Sequence, residues 1–125
     1  MSDYENMIKT VWNDKNGYAV FSTLGENEFP NSIYVGCITL YDEKTIIIAD
    51  NYFNKTRKNI KSGSKGSLLF LTNQRKSYQL KGTISYHTSG IYFDEMKKIN
   101  PAQHPGHAAA VITITEAYSG GEKIL

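Results

Sequence analysis

The stretch Ser77-Tyr78-Gln79-Leu80-Lys81-Gly82-Thr83-Ile84-Ser85-Tyr86-His87 changes character at every step. Tyr78, Leu80, Gly82, Ile84 and Tyr86 fall on one side, and Gln79, Lys81, Thr83, Ser85 and His87 on the other. A period of two is the mark of a β-strand with one face against a core and the other in water. Residues 18–24 and 31–41 read as further strands, rich in β-branched and aromatic side chains. Residues 45–49 contain Ile46, Ile47 and Ile48, are apolar on both faces and predict a central strand, as do residues 67–71. Residues 108–115 make a last strand. Turns are expected at Gly25-Glu26-Asn27-Glu28 and Asp42-Glu43-Lys44.

Three helices interrupt this pattern. Tyr4, Met7, Ile8, Val11 and Trp12 form an i, i+3, i+4, i+7, i+8 stripe, with Ser2 and Glu5 spaced as a capping box and Asn16-Gly17 as the stop. A second helix covers 55–61, after Asn54 as N-cap and before Ser62-Gly63. A third covers 91–99 and ends before Asn100-Pro101. Six short strands with short connections predict a mainly β fold, a small antiparallel barrel with short helices, over a single domain 1–125.

Composition bounds the function. The chain has 125 residues, 14 Lys+Arg against 12 Asp+Glu, and is 40% hydrophobic, which is ordinary for a globular domain. The longest apolar run, 108–112, is far short of the roughly 20 residues of a membrane helix, so no membrane partner is expected. The lone Cys37 excludes an internal disulfide and a cysteine-built zinc site, and with the absent signal h-region points to the cytoplasm. Cys37 itself reads as a small core or barrel-wall residue.

The stretch Ile46-Ile47-Ile48-Ala49-Asp50-Asn51-Tyr52-Phe53-Asn54-Lys55-Thr56-Arg57-Lys58-Asn59-Ile60 carries most of the chemistry. A buried strand ends, a polar turn follows, and a helix opens on Lys55-Thr56. Free N–H groups, an ammonium and a hydroxyl at one helix start can hold a phosphate monoester. The same residues equally fit a capped, solvated basic helix. His104 and His107, with His87, tempt a metal reading, but Pro105 and Gly106 break the spacing, and surface histidines are the default. Tyr78, Tyr86, Tyr92 and Phe93 read as core or interface aromatics, and no catalytic residue is assigned.

The order Pro30-Asn31-Ser32-Ile33-Tyr34-Val35-Gly36, then Ile46-Ile47-Ile48-Ala49-Asp50-Asn51, then Asn54-Lys55-Thr56-Arg57-Lys58-Asn59-Ile60 resembles the FMN-binding split-barrel family, the pyridoxamine-5′-phosphate-oxidase-like superfamily. It is most similar to the family's small single-domain bacterial FMN-binding proteins. The likeness continues through Ser67-Leu68-Leu69-Phe70-Leu71, Tyr78-Gln79-Leu80-Lys81-Gly82-Thr83 and His107-Ala108-Ala109-Ala110-Val111-Ile112-Thr113-Ile114. This resemblance implies a six-stranded antiparallel Greek-key split barrel forming a homodimer, with one FMN per subunit at the interface. It implies that Lys55 and Thr56 hold the FMN phosphate. Ser32, Ile33, Tyr34, Val35 and Gly36 would run beside the isoalloxazine, and Ala49, Asp50 and Asn51 along the ribityl chain. Gln79 would lie near the ring, and residues 105–107 would approach from the partner.

An apolar ledge with a few placed donors suits a flat, largely apolar cofactor, and Gly36 permits close approach, although a glycine there also fits a plain bulge. The resemblance thus implies an FMN-dependent oxidoreductase working with a small-molecule electron donor or acceptor. A redox-silent flavin-binding or storage module is the alternative, and a small barrel for single-stranded nucleic acid a more distant one; nucleic acid is not expected as a partner. The chain ends at Leu125 without the basic C-terminal segment with which pyridoxamine-phosphate oxidases hold substrate, so that activity itself is not expected.

The net charge of +2 conceals an asymmetry. Between Asn51 and Phe93 there is no acidic residue, yet eight basic ones, which leaves a net −6 on the remainder. A local positive field surrounds the Lys55 turn and favours a small anionic ligand.

Overall fold

The computed structural model describes residues 3–125. Among them are three α-helices, a 3₁₀ turn at Glu26–Glu28 and eight strands. In chain order these are α1 (Asp3–Asn13), β1 (Ala19–Leu24), β2 (Pro30–Val35), β3 (Ile38–Asp42), β4 (Thr45–Asp50), α2 (Lys55–Lys61), β5 (Gly66–Leu71), β6 (Ser77–His87), α3 (Ile91–Ile99), β7 (Ala108–Ser119) and β8 (Glu122–Lys123). All pairings are antiparallel, in the order β2-β1-β5-β6-β7-β4-β3, with β8 added to β7. The mainly β, split-barrel class is therefore as expected, with eight strands in place of six.

Two of those strands come from one stretch. Residues 31–41, read as a single strand, break at Gly36-Cys37 into β2 and β3. The two halves pair with different neighbours, β2 with β1 and β3 with β4, at opposite ends of the strand order. Only two residues separate those ends, so the sheet must curl back on itself to bring them together. Gly36 suits this corner because an added Cβ would lie 2.5 Å from the Tyr18 ring. Cys37 consequently sits in the corner rather than in a strand wall, and its carbonyl accepts the Ala49 N–H at 2.9 Å.

β4 is buried along its whole length because both its faces are covered. Ile46 and Ile48 point into the barrel with Phe21, Leu68, Leu80, Ile112 and Ile114. Ile47 and Ala49 face outward beneath α3, against Met96, Ala109 and Val111. Tyr4 and Ile8 of α1 plug the barrel, with Met7, Val11 and Trp12 around them. The stripe read from the sequence is thus the packing face of α1; Ser2 of the expected capping box lies outside the described residues. α1 stops at Asn13, before the expected Asn16-Gly17, and Gly17 then turns the chain toward β1.

β7 runs four residues past its expected end. Lys81 pairs with Glu116 and Gly82 with Ile114, which leaves Thr115 as an extra residue on β7. This bulge shifts the alternation, so Ile114 and Ala117 are both buried although three apart. The helix spans 55–61 and 91–99 stand as read.

Candidate ligand-binding groove

Where β2 and the end of β4 meet the start of α2, the surface opens into a groove of about 580 Å³. Ile33, Tyr34, Val35 and the Gly36-Cys37 corner form one side, and Ala49 and Phe53 the apolar floor. Asn51, Tyr52, Asn54, Lys55 and Thr56 form the polar end, with Pro101 and His104 closing it from the loop after α3. Tyr18 covers the Gly36 corner. The volume lies within the range of about 300–1,000 Å³ typical of small-molecule sites.

Eight expected site residues therefore come together here: Ile33, Tyr34, Val35, Gly36, Ala49, Asn51, Lys55 and Thr56. Three do not line the groove. Ser32 alternates away from the barrel interior, and its hydroxyl is shared with Ser22 at 2.8 Å. Gln79 lies on the outward face of β6, paired with Leu69 and Tyr118. Asp50 is wholly buried behind the groove.

Asp50 is held from three directions. The Arg57 guanidinium donates to its carboxylate at 2.7 and 3.0 Å, the Tyr86 hydroxyl at 2.5 Å, and the Phe53 N–H at 3.1 Å. Burial alone would raise the Asp50 pKa, but these donors outweigh it and hold the carboxyl below its ordinary range. The same carboxylate pushes the Arg57 and Tyr86 pKa values up, Tyr86 chiefly through burial and then through Asp50. The cluster ties the end of β4 to α2 and β6, and so sets the turn that presents Lys55.

α2 begins without the expected cap. Asn54 makes no side-chain bond to the helix; the residue lines the groove, and its carbonyl accepts the Lys58 N–H at 3.2 Å. Thr56 is buried and its hydroxyl oxygen accepts from Asn31 Nδ2 at 2.9 Å, which leaves the hydroxyl proton to donate. Arg57 is neutralised by Asp50, and Lys58 pairs with Glu26 at 3.1 Å. Among the described residues Lys55 makes no ion pair, so it is the free cation of the groove.

The sequence reading missed Tyr18, Tyr52, Phe53, Asn54 and Pro101 as lining residues. For the two tyrosines the signal is exposure, invisible in a periodicity: Tyr18 and Tyr52 are each 71% exposed, whereas Phe53 is buried beneath the groove. Residues 105–107 do not line the groove of their own chain, but His104 does, with its Nδ1 3.1 Å from the Tyr52 hydroxyl. Cys37 also lines it. No described helix is long and apolar enough to cross a membrane.

Known proteins place this architecture. HupZ of Group A Streptococcus superposes with a TM-score of 0.79 at 24% identity, over 96% of each chain. An FMN-binding protein of Syntrophomonas wolfei gives 0.79 at 23% identity, over 94% of this chain and 86% of the other. At these identities the likeness is one of fold. In sequence, an uncharacterized protein of Methanocaldococcus jannaschii is 34% identical over 120 residues, 92% of this chain and 78% of its relative. The profile described as pyridoxamine 5′-phosphate oxidase matches residues 7–119, from within α1 to the end of β7. Agreement over that much of the chain includes the groove and every strand but β8, and on it the chain belongs to the pyridoxamine 5′-phosphate oxidase family.

Proposed function

We propose that the groove binds FMN and that the protein is an FMN-dependent oxidoreductase working as a homodimer. The observation that carries this reading is the free Lys55 cation, with the Thr56 hydroxyl, at the end of an apolar ledge made by Ile33, Val35, Ala49 and Phe53. Lys55 and Thr56 hold the phosphate. The β2 edge and the Gly36 corner lie beside the isoalloxazine. FMN, when bound, supplies the redox chemistry; the protein binds it, orients it and keeps water from one face. The S. wolfei neighbour, described as FMN-binding, and the family membership support the choice of cofactor. Three exposed tyrosines, Tyr18, Tyr34 and Tyr52, rim the groove, and tyrosine-rich rims suit a surface that a second copy covers.

The test is direct. Protein purified with FMN and freed of excess is expected to keep the flavin visible absorbance and to quench its fluorescence; no retained flavin overturns the reading. Lys55→Ala is expected to weaken FMN about tenfold, the loss of one charge-assisted contact at an exposed site, and to leave riboflavin, which lacks the phosphate, unchanged. Equal losses for both ligands would remove Lys55 from the phosphate. Oxidation of reduced nicotinamide by the FMN-loaded protein tests the oxidoreductase part; bound flavin without turnover would leave a storage module.

A further inference from the structure

Asn51 lines the groove, yet its amide is committed elsewhere. Its Oδ1 accepts from the Gly106 N–H at 2.9 Å and from Asn100 Nδ2 at 2.9 Å, while its Nδ2 donates to Asn100 Oδ1 at 2.9 Å. The Gly106 N–H can face only an acceptor, which fixes the orientation of Asn51, and the reciprocal pair then fixes Asn100. Both lone pairs of the Asn51 carbonyl are filled, and a single N–H is left for anything in the groove.

The segment held by this pair is the 100–107 loop, which brings Pro101 and His104 to the groove. Its far end is pinned beside the same strand: the His107 N–H donates to the Asp50 carbonyl at 2.9 Å. Gly106 is buried with φ +55, and a Cβ there would come within 2.9 Å of Asn100 Nδ2, so the tight approach that completes the latch requires glycine. Two further side-chain ties reach the loop, both at exposed positions: Lys97 Nζ donates to the Pro105 carbonyl at 3.0 Å, and the Tyr52 hydroxyl meets His104 Nδ1 at 3.1 Å.

We propose that Asn51 and Asn100 are a positioning pair that latches the 100–107 loop as the closing wall of the groove, and that Asn51 serves the ligand through this latch and not by contacting it. Where the ligand is concerned, this rests on the reading of the groove as an FMN site.

The experiment compares wild type, Asn51→Ala, Asn100→Ala and the double variant, with FMN as probe and amide hydrogen exchange at Gly106 and His107 as a second readout. Each single variant is expected to weaken FMN by about tenfold, mainly through faster release, and the double by no more than either single, because the two residues act as one unit. Gly106 exchange is expected to quicken at least tenfold in all three. Asn51→Ala costing tenfold while Asn100→Ala costs nothing would make Asn51 a direct ligand contact and overturn the proposal. Unchanged affinity and exchange in Asn100→Ala would overturn it as well. If wild type retains no FMN, the reading of the groove fails, while the exchange arm still decides the latch: equal acceleration in singles and double upholds it, and wild-type exchange in Asn100→Ala refutes it. Should alanine prevent folding, Asn100→Asp keeps the size and the acceptor but removes the donor; it is expected to quicken Gly106 exchange, and unchanged exchange overturns the latch.

Discussion

Gly82→Ala is expected to cost about 3 kcal/mol or more of stability, a large share of the roughly 5–15 kcal/mol that holds an ordinary domain folded. A Cβ at Gly82 would fall on the carbonyl oxygen of Thr113, on the neighbouring strand, and close to the Thr113 carbonyl carbon at 2.7 Å and the Ile114 Cα at 3.1 Å. These are backbone atoms at the bulge where Thr115 is the extra residue of β7. They cannot move aside without breaking the β6–β7 ladder, which runs the length of both strands. Gly66, the cross-strand partner of Gly82 on β5, is a useful contrast. Its added Cβ would meet the tip of Ile84 at 2.6 Å and the edge of Phe21 at 3.1 Å, side chains that can shift. Gly66→Ala is therefore expected to cost about 1–2 kcal/mol. Denaturant midpoints of the two variants check the order; a wild-type midpoint for Gly82→Ala would mean that the bulge relaxes and that the close approach is not needed.

Asp50→Ala is expected to cost about 3 kcal/mol, the low end for breaking a buried ion pair, because the Arg57 side chain is 32% exposed and water compensates part of the loss. The substitution leaves the Arg57 guanidinium, the Tyr86 hydroxyl and the Phe53 N–H without their acceptor. FMN affinity is expected to fall with stability, since the turn that presents Lys55 loses its anchor. The pH dependence has a definite sign. The folded carboxyl titrates below its unfolded value of about 3.9, so its contribution is present above that pH and is lost as pH falls through the folded value. The denaturant midpoint of the wild type is expected to drop below about pH 4. Asp50→Ala is expected to start lower and to show a shallower drop over the same range. An equally steep acid limb in the variant would mean that other carboxylates carry it.

These two residues show what was legible before the structure. The alternation of 77–87 already placed Gly82 on the inward face of a strand, but nothing local announced that the next strand comes close enough to exclude a methyl group. Asp50 read as a ligand-lining residue because it sits beside Ala49 and Asn51 at the end of an apolar run. Its burial depends on Tyr86, 36 residues away, and on Arg57 across a turn. Asn54 read as a helix cap from residue type, yet its side chain makes no capping bond and the residue lines the groove.

By itself the sequence determined the local elements: strands by their period of two, the stripe of α1, the bounds of α2 and α3, and the concentration of positive charge around Lys55. These follow from interactions between residues a few positions apart, which leave a periodic trace. Tertiary structure alone decided the break at Gly36-Cys37, the bulge at Thr115, the burial of Asp50, and the pairing of Asn51 with Asn100, 49 residues on. Each depends on which strands the curled sheet brings together, and a hydrogen bond between distant residues imposes no pattern on the residues in between.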